Sequence, residues 1–234
     1  MRKTPENFTE DPYLHNRGPV FNDRYEAAHQ LGRLLAEYRG QDALVAGIPA
    51  GGIPIAVTLA EDLQLPLAVL VVSKITLPWN TEAGYGAVAA DGTSLLNDKM
   101  VQQAKLDEAT ISSGLQETTD KVQRRAQKFS ELLGPNDFEG KTILIVDDGL
   151  ASGFTMRVAI ASARKLKARR VIVAVPTGHA TSVIDMAGRC DHVFCANVRE
   201  GFRFAVAEAY EEWTDISEVD AISMVQNYVK GHAA

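Results

Sequence analysis

Cysteine is nearly absent from this chain, and so is any long apolar run. The two cysteines, Cys190 and Cys195, stand five positions apart. That spacing offers neither a disulfide framework nor a complete set of metal ligands. They read as buried thiols, and a reducing cytoplasm is the expected compartment. No stretch approaches the roughly 18 apolar residues that mark a membrane span. Residues 1–20 are polar and carry Glu6, Glu10 and Asp11, unlike a signal or transit peptide. Asn7-Phe8-Thr9 fits a glycosylation sequon, which means little without a secretory signal. Basic excess is missing too. A net charge of −6 argues against a nucleic-acid partner, which needs a cationic surface to displace counterions. A phosphate ligand stays open, because backbone amides at a helix start hold an anion whatever the net charge. No internal repeat and no low-complexity linker interrupts the sequence.

What is present is an ordinary apolar share of 46% over 234 residues, enough for one core and too little for two independent ones. The expected organisation is a leader over 1–20 and a single domain over 21–234. Asn22 or Asp23 caps a helix whose Ala27, Leu31, Leu34 and Leu35 share one face. Short apolar runs at 43–47, 67–72, 141–146, 171–175 and 192–196 read as strands. Helices are expected at 53–63, 153–167, 177–186 and 217–229, the last capped by Ser217. Residues 98–133 are polar and helix-prone. Residues 75–84 show no period and read as a loop before a small strand at 85–90. Strands apolar on both faces and alternating with helices define an α/β fold with a parallel, doubly wound sheet.

The chemistry concentrates in Ile143–Thr155. Ile143-Leu144-Ile145-Val146 is a central strand, and Asp147 and Asp148 stand at its carboxyl end, where open α/β sheets bind ligands. Gly149-Leu150-Ala151-Ser152-Gly153-Phe154-Thr155 turns into the next helix. Free amides at that helix start, with the Ser152 and Thr155 hydroxyls, form a phosphate cradle. Two acids beside a phosphate cradle suit a sugar phosphate. The plain alternative is a core strand ending in two solvated aspartates and a capped helix. A Walker B strand is a second rival, but its partner P-loop fails: Gly140-Lys141-Thr142 has the right ending, Pro135 stands where a glycine is required, and a strand follows instead of a helix. Gly84-Tyr85-Gly86-Ala87-Val88-Ala89 resembles a dinucleotide fingerprint without the strand and helix that would flank it.

The run I-L-I-V-D-D-G-L-A-S-G-F-T at 143–155 resembles the phosphoribosyl pyrophosphate (PRPP) motif of type I phosphoribosyltransferases. Phe21-Asn22-Asp23-Arg24, Gly47–Pro54, Val71–Asn80 with Lys74, Tyr85–Ala90 and Phe204–Trp213 resemble, in order, the landmarks of a bacterial and archaeal branch whose acceptor base is unassigned. The resemblance spans residues 21–225. It implies a sheet of that family's kind with a small hood, built from the leader and residues 197–216. It implies that Asp147 and Asp148 hold the ribose hydroxyls and, through them or through water, face Mg²⁺. It further implies that Gly149 and Ala151–Thr155, with Ser152, Gly153 and Phe154 between, wrap the 5-phosphate. Ala50, Gly51 and Gly52 would meet pyrophosphate, Lys74 would stand near it, and residues 75–84 would form a lid. The implied partners are PRPP and a small nitrogenous acceptor, and the implied assembly is a homodimer, the commonest closed symmetry.

Three positions depart from the branch. Ala50 replaces an arginine before the two glycines and removes a guanidinium from the pyrophosphate site. Ser73 replaces an often basic residue, and Phe154 a small one. A non-catalytic PRPP sensor of the same fold is therefore the alternative, and the loop would also tolerate a phosphosugar hydrolase. His179 is a candidate to touch the acceptor base, Trp79 in the lid to stack on a ligand, and Arg199 and Arg203 to touch phosphate or base, each against a plainer role as a polar loop residue or helix cap, in loop packing or in surface ion pairs.

Overall fold

A computed structural model describes residues 5–232 of the chain. Its strands are β1 (Phe8–Thr9), β2 (Ala43–Gly47), β3 (Leu67–Val69), β4 (Val72–Leu77), β5 (Asn80–Ala89), β6 (Ser94–Leu96), β7 (Thr142–Val146), β8 (Arg170–His179) and β9 (His192–Arg199). Its helices are α1 (Arg24–Leu34), α2 (Gly52–Leu63), α3 (Asp98–Gln103), α4 (Glu108–Leu133), α5 (Phe154–Lys165), α6 (Ala180–Ala187) and α7 (Glu218–His232). Six strands form one parallel sheet in the order β1-β9-β8-β7-β2-β3, and β4-β5-β6 form a separate antiparallel sheet.

The parallel sheet is covered on both faces, and its central strands β2, β7 and β8 are apolar and buried along most of their length. Successive side chains point to opposite faces, so Leu144 and Val146 of β7 join a core with Leu31 of α1 and Ile53 and Leu59 of α2. Ile143 and Ile145 join a second core with Met156 and Val158 of α5 and Val183 of α6. The doubly wound α/β reading holds. A third, smaller cluster gathers Phe21, Ala27, Ala196, Ala209 and Tyr210 with Trp213 under the segment that follows β9.

The caps behave as their residue types require. Asp23 accepts from the Tyr25 and Glu26 amides, and Ser217 Oγ accepts from the Asp220 amide.

Several boundaries differ from the sequence reading. The run 67–72 is not one strand: β3 ends at Val69, and Val72 opens β4 in the other sheet. Residues 75–84 are not a loop but most of an antiparallel hairpin, with register shifts at Ile75/Thr76 and Thr76/Leu77. Lys74 therefore lies inside β4, opposite Ala87. The polar stretch 98–133 splits into α3 and α4 where Asp107 caps the Thr110 amide. The helix expected from Thr177 starts at Ala180, because Thr177–His179 extend β8 alongside Asn197–Arg199. Pairing, not propensity, decided these ends.

Candidate functional site

Where β7 ends, the chain turns through the two acids. The Asp148 amide donates to Asp147 Oδ1 at 2.9 Å. Asp147 lines a cavity of about 150 Å³ together with Gly149–Met156 and Val206. Asp148 is not part of that lining. Its Oδ2 accepts from Arg24 Nε at 3.2 Å and Nη2 at 2.9 Å. Arg24 Nη1 donates to the Thr214 carbonyl at 2.8 Å, and the guanidinium carbon stands 3.8 Å from the Trp213 ring centre. Tyr210 donates its hydroxyl to the Asp148 carbonyl at 2.6 Å. The acids are thus inequivalent: one opens on the cavity, the other is clamped.

The first glycine loop lies directly on this pair. A Cβ on Gly51 would sit 2.1 Å from Asp148 Oδ2, and one on Gly52 would sit 2.7 Å from the Val146 carbonyl and 2.9 Å from Asp147 Cα. Only glycine allows this approach. The loop is held by Ile48 N–H to the Val146 carbonyl and Gly52 N–H to the Ile48 carbonyl, and the Pro49–Ala50 peptide is cis. Ala50 is half-buried against the core.

On the other side of Asp147, Leu150 bridges to Gly178 of β8, and Ser182 donates to the Ala151 carbonyl. Gly153 takes a φ of 71° at the start of α5, where the Phe154 amide donates to Ser152 Oγ at 3.5 Å. Amides at a helix start are the groups that bind an anion. Val206 reaches over Gly149, whose Cβ would lie 2.5 Å from Val206 Cγ1.

Electrostatics follow from this packing. Burial, and then the Asp148 charge, push the Asp147 carboxyl well above the usual carboxylate range. Burial also raises Asp148, with Arg24 pulling it back. Burial and the Asp148 charge raise Tyr210, which stays a proton donor. Outside the site, Cys190 and Cys195 are buried free thiols, and burial pushes Cys190 up to about 11.

The structure gathers Asp147, Asp148, Gly51, Gly52, Gly149, Ala151, Ser152, Gly153, Phe154 and Thr155 at the carboxyl ends of β2 and β7, with Ala50 on the turn beside them. Lys74 is outside that group: it is exposed on β4, its stem packed over Gly84. Trp79 is 66% exposed near the hairpin tip. His179 has both ring nitrogens engaged, with Thr181 Oγ at 2.7 Å and the Gly201 carbonyl at 2.9 Å, and lies edge-on to Phe204. Arg199 pairs with Glu208 at 2.7 Å, and Arg203 is exposed. Sequence reasoning placed Arg24 and 204–213 among the family's landmarks and 197–216 in the hood, but gave Arg24, Val206, Tyr210 and Trp213 no contact with the acid pair or its loop. One signal was readable: an arginine in the first turn of a helix opposes the helix dipole, so its place needs another explanation.

Two loops and an acid pair lie together at the carboxyl edge of the parallel sheet of an α/β protein, the place where open sheets of this kind bind ligands. A model of the phosphoribosyl transferase domain matches residues 22–213, and the chain belongs to that family. Two proteins of Mycobacterium tuberculosis, from strains CDC 1551 and H37Rv, carry the name "Putative phosphoribosyl transferase". Each is 36% identical to this chain over 206 residues, covering 88% of this chain and 46% of their own length. The chain thus spans about half of those relatives. The crystal structure of TT1426 from Thermus thermophilus superposes with a TM-score of 0.72 at 27% identity, over 89% of this chain and 98% of that one. Among the described residues, no helix is long and apolar enough to cross a membrane.

Proposed function

We propose that this protein moves a 5-phosphoribosyl group from PRPP to a nitrogenous base or amine and releases pyrophosphate. The observation that carries the proposal is the convergence of the Gly51-Gly52 loop and the 149–155 loop on Asp147 and Asp148. In this reading the cavity along Gly149–Thr155 takes the 5-phosphate at the amino end of α5, and the acid pair takes the ribose hydroxyls. The amides around Ala50-Gly51-Gly52 take pyrophosphate. The bond from the anomeric carbon to pyrophosphate breaks as the acceptor nitrogen bonds to that carbon, and the nitrogen's proton leaves to solvent. Positive charge develops on the sugar, and a half-buried carboxylate at Asp147 opposes it most strongly in the transition state. Lys74 on the hairpin would reach the leaving group, and the β4–β5 hairpin would exclude water from the activated sugar. The acceptor would lie beside His179, Phe204 and the hood at 197–216.

Mg²⁺ fits this donor set as a passenger of the ligand. Asp147 and Asp148 are the two converging carboxylates, and Arg24 already engages one of them. They would meet the cation through ribose hydroxyls or water, and the ion would neutralise charge on the departing pyrophosphate. A cytoplasmic homodimer acting on small molecules, without nucleic acid or membrane, is the proposed setting.

PRPP with Mg²⁺ at a hundredfold over Kd adds about 2.7 kcal/mol, expected to raise Tm by about 5–10 °C. An unchanged Tm would sink the proposal. Ala50 favours a second reading, a protein that binds PRPP without turning it over, since the guanidinium of its branch is missing. A Tm rise without pyrophosphate release across a panel of bases would select that second reading.

A further inference from the structure

Arg24 has no part in the reaction just described, yet it is the most heavily engaged cation near the site. Its side chain is 7% exposed, against 16% for that of Asp148. Two of its nitrogens take the same oxygen, Asp148 Oδ2. That oxygen is the one on which Gly51 is seated, since a Cβ there would fall 2.1 Å from it. The third nitrogen holds the Thr214 carbonyl, and the flat face of the guanidinium lies on Trp213. One planar group therefore ties together α1, the acid pair, the glycine loop and the last stretch of the hood.

The same hood segment touches the end of β7 at two further points, Val206 over Gly149 and Tyr210 on the Asp148 carbonyl. It is anchored from the leader side as well: the Val20 and Phe21 amides donate to the Ala209 carbonyl, and the Glu211 amide donates to the Phe21 carbonyl. The hood and the acid pair are thus one hydrogen-bonded unit, and Arg24 is its only charged link among the described residues.

We propose that Arg24 is a positioning residue: it fixes the Asp148 carboxylate against the Gly51 turn and makes that placement depend on the seating of hood residues 213–214. The role rests on the reading of the acid pair as a ribose site. Lysine supplies the charge but not the planar fork or the stacking face, so the chemistry calls for arginine.

The test uses the 234-residue chain in a Trp79→Phe background, where Trp213 is its single tryptophan. Arg24→Gln should shift Trp213 emission and speed amide exchange in two separated places, residues 210–216 and residues 147–149. At a temperature where the variant is folded, it should weaken PRPP binding by about 10- to 100-fold, the size of a lost charge-assisted hydrogen bond. Arg24→Lys should recover part of that affinity. In a double-mutant cycle, Arg24→Gln and Asp148→Asn should be strongly non-additive for PRPP affinity, because each removes the same contact. An Arg24→Gln protein with a lowered Tm but wild-type PRPP affinity would mean a purely structural arginine and overturn the proposal. Failure of the wild-type protein to bind PRPP would instead overturn the ribose-site reading, and the positioning role with it.

Discussion

At the scale of single residues, the two adjacent aspartates have separate physical lives. Asp148 is compensated by a buried guanidinium in direct contact, whereas Asp147 is half-buried beside a like charge, with Arg24 the least of the influences on it. A carboxyl whose folded pKa is raised contributes most to stability below its unfolded value, near pH 4. That contribution is lost as pH rises through the folded value. Above the folded value the charge is thus a cost to stability. Asp147→Asn should raise the Tm of the ligand-free protein at pH 7, by about 2–4 °C for each kcal/mol recovered, and the gain should vanish towards pH 4. The same variant should lose PRPP affinity. Calorimetry across pH together with a binding titration checks both halves. A variant less stable than wild type at pH 7 would show that Asp147 is better solvated than its surroundings indicate.

At the scale of elements, the hairpin β4–β5 is the feature that sequence patterning hid. Apolar runs identify a strand but not its partner, and Leu67–Val72 is apolar throughout whichever sheet receives it. The chain leaves the parallel sheet after Val69 because β5 offers an antiparallel partner from Val72 onward. Residues 75–84 carry Pro78, Asn80 and Gly84, which read as a loop by composition. Tyr85, fully buried under α4, anchors the hairpin instead. The packing is tight: a Cβ on Gly114 of α4 would lie 2.1 Å from the Tyr85 hydroxyl and 3.3 Å from its ring carbon. Gly114→Ala gains about 1 kcal/mol of helix propensity but meets overpacking of about 1–3 kcal/mol, so it should lower stability. In a Tyr85→Phe background the obstructing oxygen is gone, and Gly114→Ala should become neutral or stabilising. Denaturant melts of the four proteins measure the coupling, and strict additivity would contradict the packing described.

At the scale of the whole molecule, the leader covers the open edge of the parallel sheet. Phe8 and Thr9 pair with Val193 and Phe194, Asn7 holds the Ala187 carbonyl at 2.8 Å, and Asn197 reaches back to the Leu14 and Arg17 carbonyls. Removing residues 1–20 would bare β9, an eight-residue strand with six consecutive buried positions, and an uncovered apolar edge recruits other chains. The truncated protein should melt lower and self-associate, seen by light scattering. It should also lose order in the hood that the Val20 and Phe21 amides secure. A deletion variant with the parent's oligomeric state and Tm would show that the edge needs no cover.

The sequence by itself determined the parallel α/β layering, because unbroken apolar strands must be covered on both faces. It also determined the glycine loops and the acid pair, because backbone freedom and charge at a strand end are properties of single residue types and their neighbours. Only the tertiary structure decided that Gly51 is seated on Asp148 and Gly52 on Asp147. It alone decided that Arg24, 124 positions away along the chain, clamps one acid while leaving the other to the cavity. No local pattern encodes that inequality. It comes from bringing α1, β7 and the hood together in a volume where one buried charge requires another.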